Sequence, residues 1–233
     1  MRHLDIFETA DFTEAATKAI VESIKAKPSG QSFNLFLSGG STPIPIYEGL
    51  GRSGIDWSHV HLWWGDERFV PMDHADSNYR LVKESLLDHI DIPVNQVHPW
   101  PILSTPELSA ETYEREFKSF FDSSDHDIDF QLLGLGDDGH TASLFPGTKA
   151  LTETVRFCVS NHVEEKGTDR LTLTYPALGM SQRVVFLIKG EGKAQAVQEL
   201  LEKEMHPGAK VAGQQSTELW LDTEAASKLS PLK

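Results

Sequence analysis

Short apolar segments alternate with segments of helical periodicity along most of the chain. The apolar segments are rich in β-branched, aromatic or leucine residues and have the length of buried strands. Polar or glycine-containing stretches follow most of them, which is typical of strand ends. We therefore predict strands at residues 33–37, 60–64, 128–135, 170–175 and 184–188.

Apolar residues recur at helical spacing in three segments between or beside these strands. In residues 11–27, Phe12, Ala16 and Ile20 fall on one face of a helix. Residues 106–121 and 192–204 carry similar apolar stripes. Such stripes predict three amphipathic helices that pack their apolar faces against a core.

The alternation of strands and helices also predicts how the elements are connected. Parallel strands need crossover connections, which are usually helices lying on the faces of the sheet. No fixed-period repeat and no low-complexity linker divides the sequence. We predict one doubly wound α/β domain over residues 1–233, with a mainly parallel sheet and helices on both faces. Its ligand should lie beyond the carboxyl ends of the strands.

Composition and charge restrict the partners of this fold. The 233 residues include 39% hydrophobic residues, and 21 Lys and Arg against 35 Asp and Glu give a net charge of −14. An acidic surface without a basic cluster repels nucleic acid and anionic lipid, so neither is a predicted partner. No segment approaches the ~20 apolar residues that cross a bilayer, and no signal peptide is evident. With one cysteine, Cys158, the chain is predicted to be cytoplasmic.

The sequence Ser-Gly-Gly-Ser-Thr-Pro follows the first predicted strand. Its adjacent glycines allow backbone amides to face one point, and Pro43 suits the first position of a helix. Free amides and the positive end of a helix dipole bind anions. The alternative is a simple turn from strand to helix, and the lysine of a nucleotide P-loop is missing. The predicted anion site consists of Ser38, Gly39, Gly40, Ser41 and Thr42.

Charged side chains follow the second predicted strand. Asp66 and Arg68 lie in the sequence Trp-Gly-Asp-Glu-Arg. These side chains could hold a catalytic group and bind an anion. The alternative is a surface ion-pair cluster, which would contribute little to stability. Arg80 falls in the first turn of a helix predicted from residue 77. An arginine there gains nothing from the helix dipole. We interpret Arg80 as a phosphate ligand, with a solvated arginine as the alternative.

A glycine-rich segment follows the third of these strands and contains His140. Gly134, Gly136 and Gly139 match a dinucleotide-binding pattern, but Pro146 and the next glycine would cut short the helix that pattern requires. We interpret the segment instead as a turn that holds His140 beside two acids. A histidine titrates near neutral pH and can take a proton from water, and an adjacent carboxylate can orient it.

Two histidines on the second predicted strand raise the question of a metal. His59 and His61 alternate on one face of that strand. A metal site usually needs three or four ligands, and no third ligand follows at a suggestive spacing. We predict no metal site.

Four sequence blocks, taken together, resemble the 6-phosphogluconolactonase family. They occur in the order and at the approximate spacing of that family, and the resemblance covers nearly the whole chain. Residues 170–176 and the strand ending in Lys189-Gly190 are similar to its later blocks. The four blocks are residues 38–43, 64–68, 77–80 and 134–146.

This resemblance implies an activity, a fold and a set of site residues. The activity is hydrolysis of 6-phospho-D-glucono-1,5-lactone to 6-phospho-D-gluconate in the oxidative pentose phosphate pathway. The fold is the Rossmann-like, three-layer fold of the amino-sugar phosphate isomerase and ribose-5-phosphate isomerase group. No metal or organic cofactor is implied, and we expect a monomer or weak homodimer. By the same resemblance the base is His140, its partner acid is Asp66, and the substrate-binding cations are Arg68, Arg80, Lys189 and Arg170.

A δ-lactone is an activated ester, so direct attack by water suffices. His140 is the predicted general base, and Arg68 or loop amides are the predicted donors to the developing oxyanion. The phosphate is expected on the residue 38–42 turn, held by Lys189 and Arg80. Three acids, Asp66, Asp137 and Asp138, remain candidates for the contact with the imidazole.

Two alternative functions remain. Glucosamine-6-phosphate deaminases share the implied fold, but that family places a glutamate shortly after the histidine, where this chain has Leu-Phe-Pro-Gly at residues 144–147. A non-catalytic sugar-phosphate sensor would be favoured by loss of His140 or Asp66, and both are present. A serine nucleophile is disfavoured because no G-x-S-x-G elbow occurs.

Overall fold

The computed structural model describes residues 2–122, 126–202 and 206–230. Within these residues the chain forms ten strands and six α-helices. The strands are β1 (Arg2–Phe7), β2 (Phe33–Leu37), β3 (Val60–Trp64), β4 (Asp66–Arg68), β5 (Val97–His98), β6 (Ile128–Leu133), β7 (Cys158–Val163), β8 (Thr168–Leu173), β9 (Ser181–Ile188) and β10 (Ser216–Asp222). The helices are α1 (Phe12–Ala26), α2 (Ile44–Gly51), α3 (Asn78–Ser85), α4 (Pro106–Phe121), α5 (Tyr175–Leu178) and α6 (Ala194–Glu202).

Seven strands form the main sheet, in the order β1-β10-β9-β6-β2-β3-β5, and every neighbouring pair is parallel. The predicted strands at 33–37 and 60–64 coincide with β2 and β3. The strand predicted at 128–135 ends earlier, at Leu133, where the glycine-rich turn begins. The prediction of a mainly parallel α/β sheet is confirmed.

Helix α4 covers one face of this sheet. On that face Phe36 of β2 stacks on Trp63 of β3, with ring centroids 5.7 Å apart. The rings of Phe117 and Phe121 in α4 lie 6.2 and 5.9 Å from Phe36. All four side chains are buried, so they form part of a continuous aromatic core between helix and sheet.

Helix α1 covers the opposite face. Phe130 of β6 is in register with the residue before Phe36, and side chains alternate along a strand, so Phe130 points away from α4. Its ring lies 6.0 Å from Trp220 of β10. Trp220 contacts Phe7, and Phe7 contacts Phe12 at the start of α1. The architecture is therefore helix, sheet, helix, as predicted.

A second, three-stranded antiparallel sheet, in the order β4-β8-β7, lies beside the main sheet. The strand predicted at 170–175 belongs to this sheet as β8, two residues earlier, and not to the parallel one. One residue, Gly65, separates β3 from β4, and it joins the sheets by donating to Leu37 O at 3.0 Å and accepting from Leu173 N at 2.9 Å. This change of direction carries β4 across the carboxyl end of the main sheet.

The predicted helices also match the structure closely. Helix α1 lies within the predicted segment 11–27, and α4 has the predicted bounds. Helix α6 begins two residues after the predicted start at 192, and residues 203–204 of that prediction lie outside the described residues. Across the described ranges, no helix combines the length and the apolar character needed to cross a membrane.

Candidate active site

A cavity of about 230 Å³ opens at the carboxyl ends of β2, β3, β6 and β9. Strand β2 has β3 on one side and β6 on the other, so the direction of strand order changes there, and ligands of open α/β sheets bind at such points. The cavity brings together most of the predicted site residues. Those that line it are Ser38, Gly39, Gly40, Ser41, Thr42, Asp66, Arg68, His140 and Lys189.

The residue 38–42 turn presents backbone N–H groups to this cavity. Tyr47 of α2 fastens its first residue, because its hydroxyl donates to Ser38 O at 2.8 Å and accepts from Ser38 N at 3.0 Å. Burial raises the pKa of Tyr47 and keeps this donor protonated. Within the described residues, the N–H groups of residues 39–42 have no hydrogen-bond partner. Helix α2 begins at Ile44, directly after Pro43, so the positive end of its dipole faces the same cavity.

His140 is held by Asp138. Its Nδ1 lies 2.5 Å from Asp138 Oδ1, and its backbone N donates to the same oxygen at 3.1 Å. Burial raises the pKa of Asp138, but these two hydrogen bonds outweigh burial and lower it overall, so the carboxylate stays ionised. An ionised carboxylate accepts, so the proton of the neutral ring is on Nδ1. Nε2 has no protein partner among the described residues, so it is the ring nitrogen of this cavity-lining histidine that remains available to a ligand.

The glycine-rich turn leaves room for this imidazole. A Cβ at Gly136 would lie 2.0 Å from His140 Nδ1, so any side chain at residue 136 would displace the ring. Gly136 N donates to His140 O at 2.8 Å, and Phe145 stacks on the ring with centroids 4.0 Å apart. No α-helix occurs in residues 134–148. This agrees with our rejection of the dinucleotide-binding interpretation.

Asp66 lines the cavity, but its carboxylate does not contact the imidazole. Its Oδ2 accepts from Ser143 Oγ at 2.6 Å. Asn78 Nδ2 donates to Asp66 O at 2.9 Å and to Oδ1 at 3.3 Å. Of the three candidate acids, Asp138 and not Asp66 contacts the imidazole in this structure.

Glu67, between Asp66 and Arg68, ties β4 to the start of α3. Its carboxylate accepts from the backbone N of Arg68 and Asn78, both at 2.7 Å, from Tyr79 N at 2.8 Å and from Ser77 Oγ at 3.2 Å. Burial raises its pKa, and the three backbone donors oppose that effect. Neither interpretation of this segment from the sequence, as a catalytic and anion-binding group or as a surface ion-pair cluster, included this buried helix cap.

Three cations line the cavity. Arg68 is anchored by a hydrogen bond of 2.6 Å from Nη1 to Asp76 O. Lys189 makes no ion pair within the described residues, so its ammonium is available to a ligand. Lys193 pairs with Asp137 at 2.6 Å. Our sequence analysis missed Lys193, although its position four residues after Lys189 was a usable signal.

Two predicted cations lie elsewhere. Arg80 bonds Glu84 Oε1 at 2.7 Å and Asp73 O at 2.9 Å on the exposed side of α3, outside the cavity lining. The interpretation of Arg80 as a phosphate ligand does not agree with this placement. Arg80 instead forms an i, i+4 ion pair with Glu84 on the same helix. Arg170 lies opposite Arg68 across β4 and β8 and is also absent from the lining. Burial and the Arg68 charge lower its pKa.

Of the two histidines considered as metal ligands, only His61 lies on β3; His59 ends the short 3-10 turn before that strand, so the two do not alternate along it. His61 Nδ1 lies 3.0 Å from His98 Nε2, and His98 Nδ1 lies 2.7 Å from Glu116 Oε1. In the parts of the chain that the structure describes, no group of three or more His, Cys, Asp or Glu side chains is arranged to hold a metal ion.

Comparison with known proteins gives a consistent result. Residues 8–220 match the family described as glucosamine-6-phosphate isomerases/6-phosphogluconolactonase. A 6-phosphogluconolactonase from Synechocystis sp. is 42% identical over 227 residues, which cover 94% of this chain and 91% of that protein. The resemblance found in the sequence is confirmed.

Solved structures of members of this family are also similar to this chain. The crystal structure of 6-phosphogluconolactonase from Thermotoga maritima matches with a TM-score of 0.87 and 29% identity, over 96% of this chain and 100% of that one. A monomeric glucosamine-6-phosphate deaminase matches with a TM-score of 0.82 at 23% identity, over 97% of this chain and 99% of that one, which shows a shared fold alone. This chain belongs to the glucosamine-6-phosphate isomerase/6-phosphogluconolactonase family.

Proposed function

We propose that this protein hydrolyses 6-phospho-D-glucono-1,5-lactone to 6-phospho-D-gluconate. The observation that carries the proposal is the His140–Asp138 pair, which opens onto the same cavity as the unpaired amides of the residue 38–42 turn and the Lys189 ammonium. A base and an anion site in one cavity suit a substrate that has a reactive carbonyl at one end and a phosphate at the other.

In this reaction His140 acts as general base. Its Nε2 takes a proton from a water molecule as the water oxygen attacks the lactone carbonyl carbon. The tetrahedral intermediate then collapses, the ring C–O bond breaks, and the imidazolium returns the proton to the departing ring oxygen. Asp138 keeps the imidazole in the correct tautomer and stabilises its charged form. No covalent intermediate with the protein is needed.

The phosphate end is bound by the turn and by Lys189. Backbone amides at residues 39–42 supply donors, and the dipole of α2 adds positive potential. Lys189 supplies a full charge in a protein whose net charge is −14, so the attraction is local to the cavity. Arg68 lines the same cavity, and we assign it to donate to the developing oxyanion, the second group that the reaction must stabilise.

The deaminase alternative is less well supported by the surroundings of His140. Its ring is bonded to Asp138 and stacked on Phe145, and residues 144–147 contain no carboxylate. An isomerisation that moves protons between carbons needs a second acid–base group at this place. A single imidazole–carboxylate pair suffices for adding water to a lactone.

The test is proton release from freshly prepared 6-phosphogluconolactone, corrected for spontaneous opening. We expect enzyme-dependent hydrolysis that saturates with substrate, and no ammonia from glucosamine 6-phosphate. Ammonia release with no lactone hydrolysis would establish the deaminase. Binding of 6-phosphogluconate with neither reaction would establish a sensor.

We further propose that residues 1–233 act as one domain in the cytoplasm, as a monomer or weak homodimer, with the sugar-phosphate lactone as partner. Sedimentation at several protein concentrations measures the oligomeric state. The specific activity should be the same at each of these concentrations.

A further inference from the structure

Asn78 lies in the cavity wall between two parts of the site and has no role in the mechanism above. It is the first residue of α3 and is 1% exposed. On one side its side chain is bonded to Asp66, and on the other it meets Gly39 of the anion-binding turn. It therefore contacts both the turn after β2 and the strand β4.

The contact with Gly39 leaves no space for a side chain there. A Cβ at residue 39 would lie 1.9 Å from Asn78 Oδ1, 2.4 Å from Cγ and 2.8 Å from Nδ2. These are the three nearest atoms, and all belong to Asn78. Gly39 is not among the glycines with positive φ, so its backbone does not itself demand glycine. The glycine at residue 39 is required by the space that Asn78 occupies.

The orientation of Asn78 is fixed from two directions. Its Nδ2 donates to the backbone O and to Oδ1 of Asp66, which are both acceptors, so the amide nitrogen must face β4 and Oδ1 must face Gly39. Its backbone N donates to the buried carboxylate of Glu67 at 2.7 Å. The side-chain amide is therefore bonded at its nitrogen, while Oδ1 is buried without a hydrogen-bond partner and lies against Gly39. It acts as a spacer, since rotation of the side chain would break the two bonds to Asp66.

We propose that Asn78 is a positioning residue that sets the distance between the anion-binding turn and β4, and thereby the place of the substrate phosphate relative to the catalytic groups. This inference rests on the proposed function, in which the turn binds the phosphate. Asn78 acts through Gly39 and is not itself a catalytic residue.

The first test removes the spacer. In Asn78→Ala the residue 38–42 turn loses its contact with residue 78 and is free to shift. We expect the Kd for 6-phosphogluconate to rise about tenfold, the effect of losing about one hydrogen bond from the turn to the charged phosphate. KM for the lactone should rise similarly, while kcat falls less than about threefold because His140 and Asp138 are untouched. Isothermal calorimetry and steady-state kinetics measure the two effects.

A matched control separates positioning from general stability. Asn34, on β2 at the opposite end of that strand, is also fully buried, donates its Nδ2 to a backbone carbonyl at 2.8 Å and has an unpartnered Oδ1. Asn34→Ala should lower the melting temperature about as much as Asn78→Ala and leave the Kd for 6-phosphogluconate unchanged. Equal losses of affinity in both variants would reduce Asn78 to a structural role and overturn the proposal.

The second test uses the steric relation between the two residues. Gly39→Ala should weaken 6-phosphogluconate binding at least as much as Asn78→Ala, because the new methyl group must displace the amide. In the double variant the methyl group enters the space that the amide has left. We therefore expect the double variant to bind no more weakly than Asn78→Ala alone, a coupling of the kind that contacting residues show.

The outcomes distinguish this inference from the function on which it rests. Additive losses in the double variant, or unchanged binding in Gly39→Ala, would overturn the role of Asn78 even if the parent hydrolyses the lactone. A parent that binds 6-phosphogluconate without hydrolysing the lactone would contradict the proposed function, while coupled losses of affinity would still support the role of Asn78.

Discussion

At the scale of single residues, two side chains divide the work of the proposed reaction. His140 supplies the base, and because Asp138 occupies Nδ1, Nε2 is the ring nitrogen left to act. Lys189 supplies the charge that retains the phosphate. General-base assistance contributes about 10²–10⁴-fold to a rate, whereas a remote charge acts mainly through binding. Substitutions of these two residues should therefore affect different kinetic constants.

Lys189→Met should raise KM for the phosphorylated lactone by about tenfold, as expected for loss of one charge-assisted hydrogen bond. Its activity on unphosphorylated glucono-δ-lactone should equal that of the parent, because that substrate carries no phosphate. Steady-state kinetics on both lactones measure the difference.

Arg80→Met is the control for this prediction, since Arg80 is held by Glu84 on the outside of α3. It should leave KM for both lactones within about twofold of the parent value, the range of surface substitutions away from special contacts. If Arg80→Met raised KM and Lys189→Met did not, the sequence-based assignment of the phosphate ligand to Arg80 would be correct and the placement of the phosphate would be wrong.

At the scale of elements, the site depends on the junction of β3, β4 and α3. Strand β4 crosses the carboxyl end of the main sheet and carries Asp66 and Arg68 into the cavity wall. Glu67 faces the other way and caps α3, so one short strand serves both the site and the fold. Carboxylates are favoured at helix amino-termini because they satisfy free N–H groups and complement the dipole.

Glu67→Gln should lower the free energy of unfolding by about 1–3 kcal/mol, the cost of leaving buried hydrogen-bonding groups unsatisfied. Each carboxylate oxygen accepts from two donors, so the amide NH₂ of glutamine must face donors in either orientation. Urea unfolding measures the change. Glu84→Gln, which alters an exposed carboxylate on the same helix, should stay within about 0.5 kcal/mol of the parent. Equal stability of the two variants would contradict the capping role.

The sequence predicted the four inner strands β2, β3, β6 and β9 of the parallel sheet because they are largely buried on both faces and read as continuous apolar runs. It missed β10 and the two edge strands, β1 and β5, of the same sheet. The antiparallel sheet was harder to recognise. Strand β4 has three residues, Asp-Glu-Arg, and its conformation depends on pairing with β8, which lies about a hundred positions later in the chain. Local patterns carry no signal for such a partner.

In the candidate site too, some features could be predicted from local sequence patterns and others depended on distant partners. Loops that follow strands could be placed from the sequence, since parallel strands bring their carboxyl ends together, and nine of the eleven predicted site residues line the cavity. The orientation of individual side chains could not be predicted from the sequence. Asp138 rather than Asp66 meets the imidazole, and Arg80 turns to Glu84, because both outcomes depend on hydrogen-bond partners that only the folded backbone brings near.

At the scale of the whole molecule, we expect a histidine cluster to make the stability of the fold depend on pH. His61 on β3 stacks on His98 of β5, with ring centroids 5.3 Å apart, and His98 is bonded to Glu116 of α4. Burial, followed by the charges of His98 and His126, lowers the pKa of His61 from 6.5 to about 4. The cluster lies within the fold, away from the active-site cavity lining.

The sign of the effect follows from proton binding. Between about pH 6.5 and pH 4 the unfolded chain protonates His61 and the folded protein does not, so the unfolded state binds more protons. The free energy of unfolding should therefore fall as the pH is lowered through this interval. His61→Phe removes the titrating group and keeps an aromatic ring, so its stability should fall less steeply in the same interval.

Chemical unfolding at several pH values between 4 and 7 measures the slopes. His3→Phe, which replaces an exposed imidazole on β1, is the control and should keep the slope of the parent. If His61→Phe had the same slope as the parent and His3→Phe, His61 would contribute nothing to the pH dependence, and another group would be responsible.

The most direct test of the account compares the parent with His140→Ala in lactone hydrolysis and in 6-phosphogluconate binding. We predict that kcat falls by about 10²–10⁴-fold, the usual contribution of a general base, while the Kd for 6-phosphogluconate stays within about threefold. Asp138→Asn should give a smaller fall in kcat with the same retained affinity. An unchanged kcat in His140→Ala would contradict the assignment of this imidazole as the base that activates water.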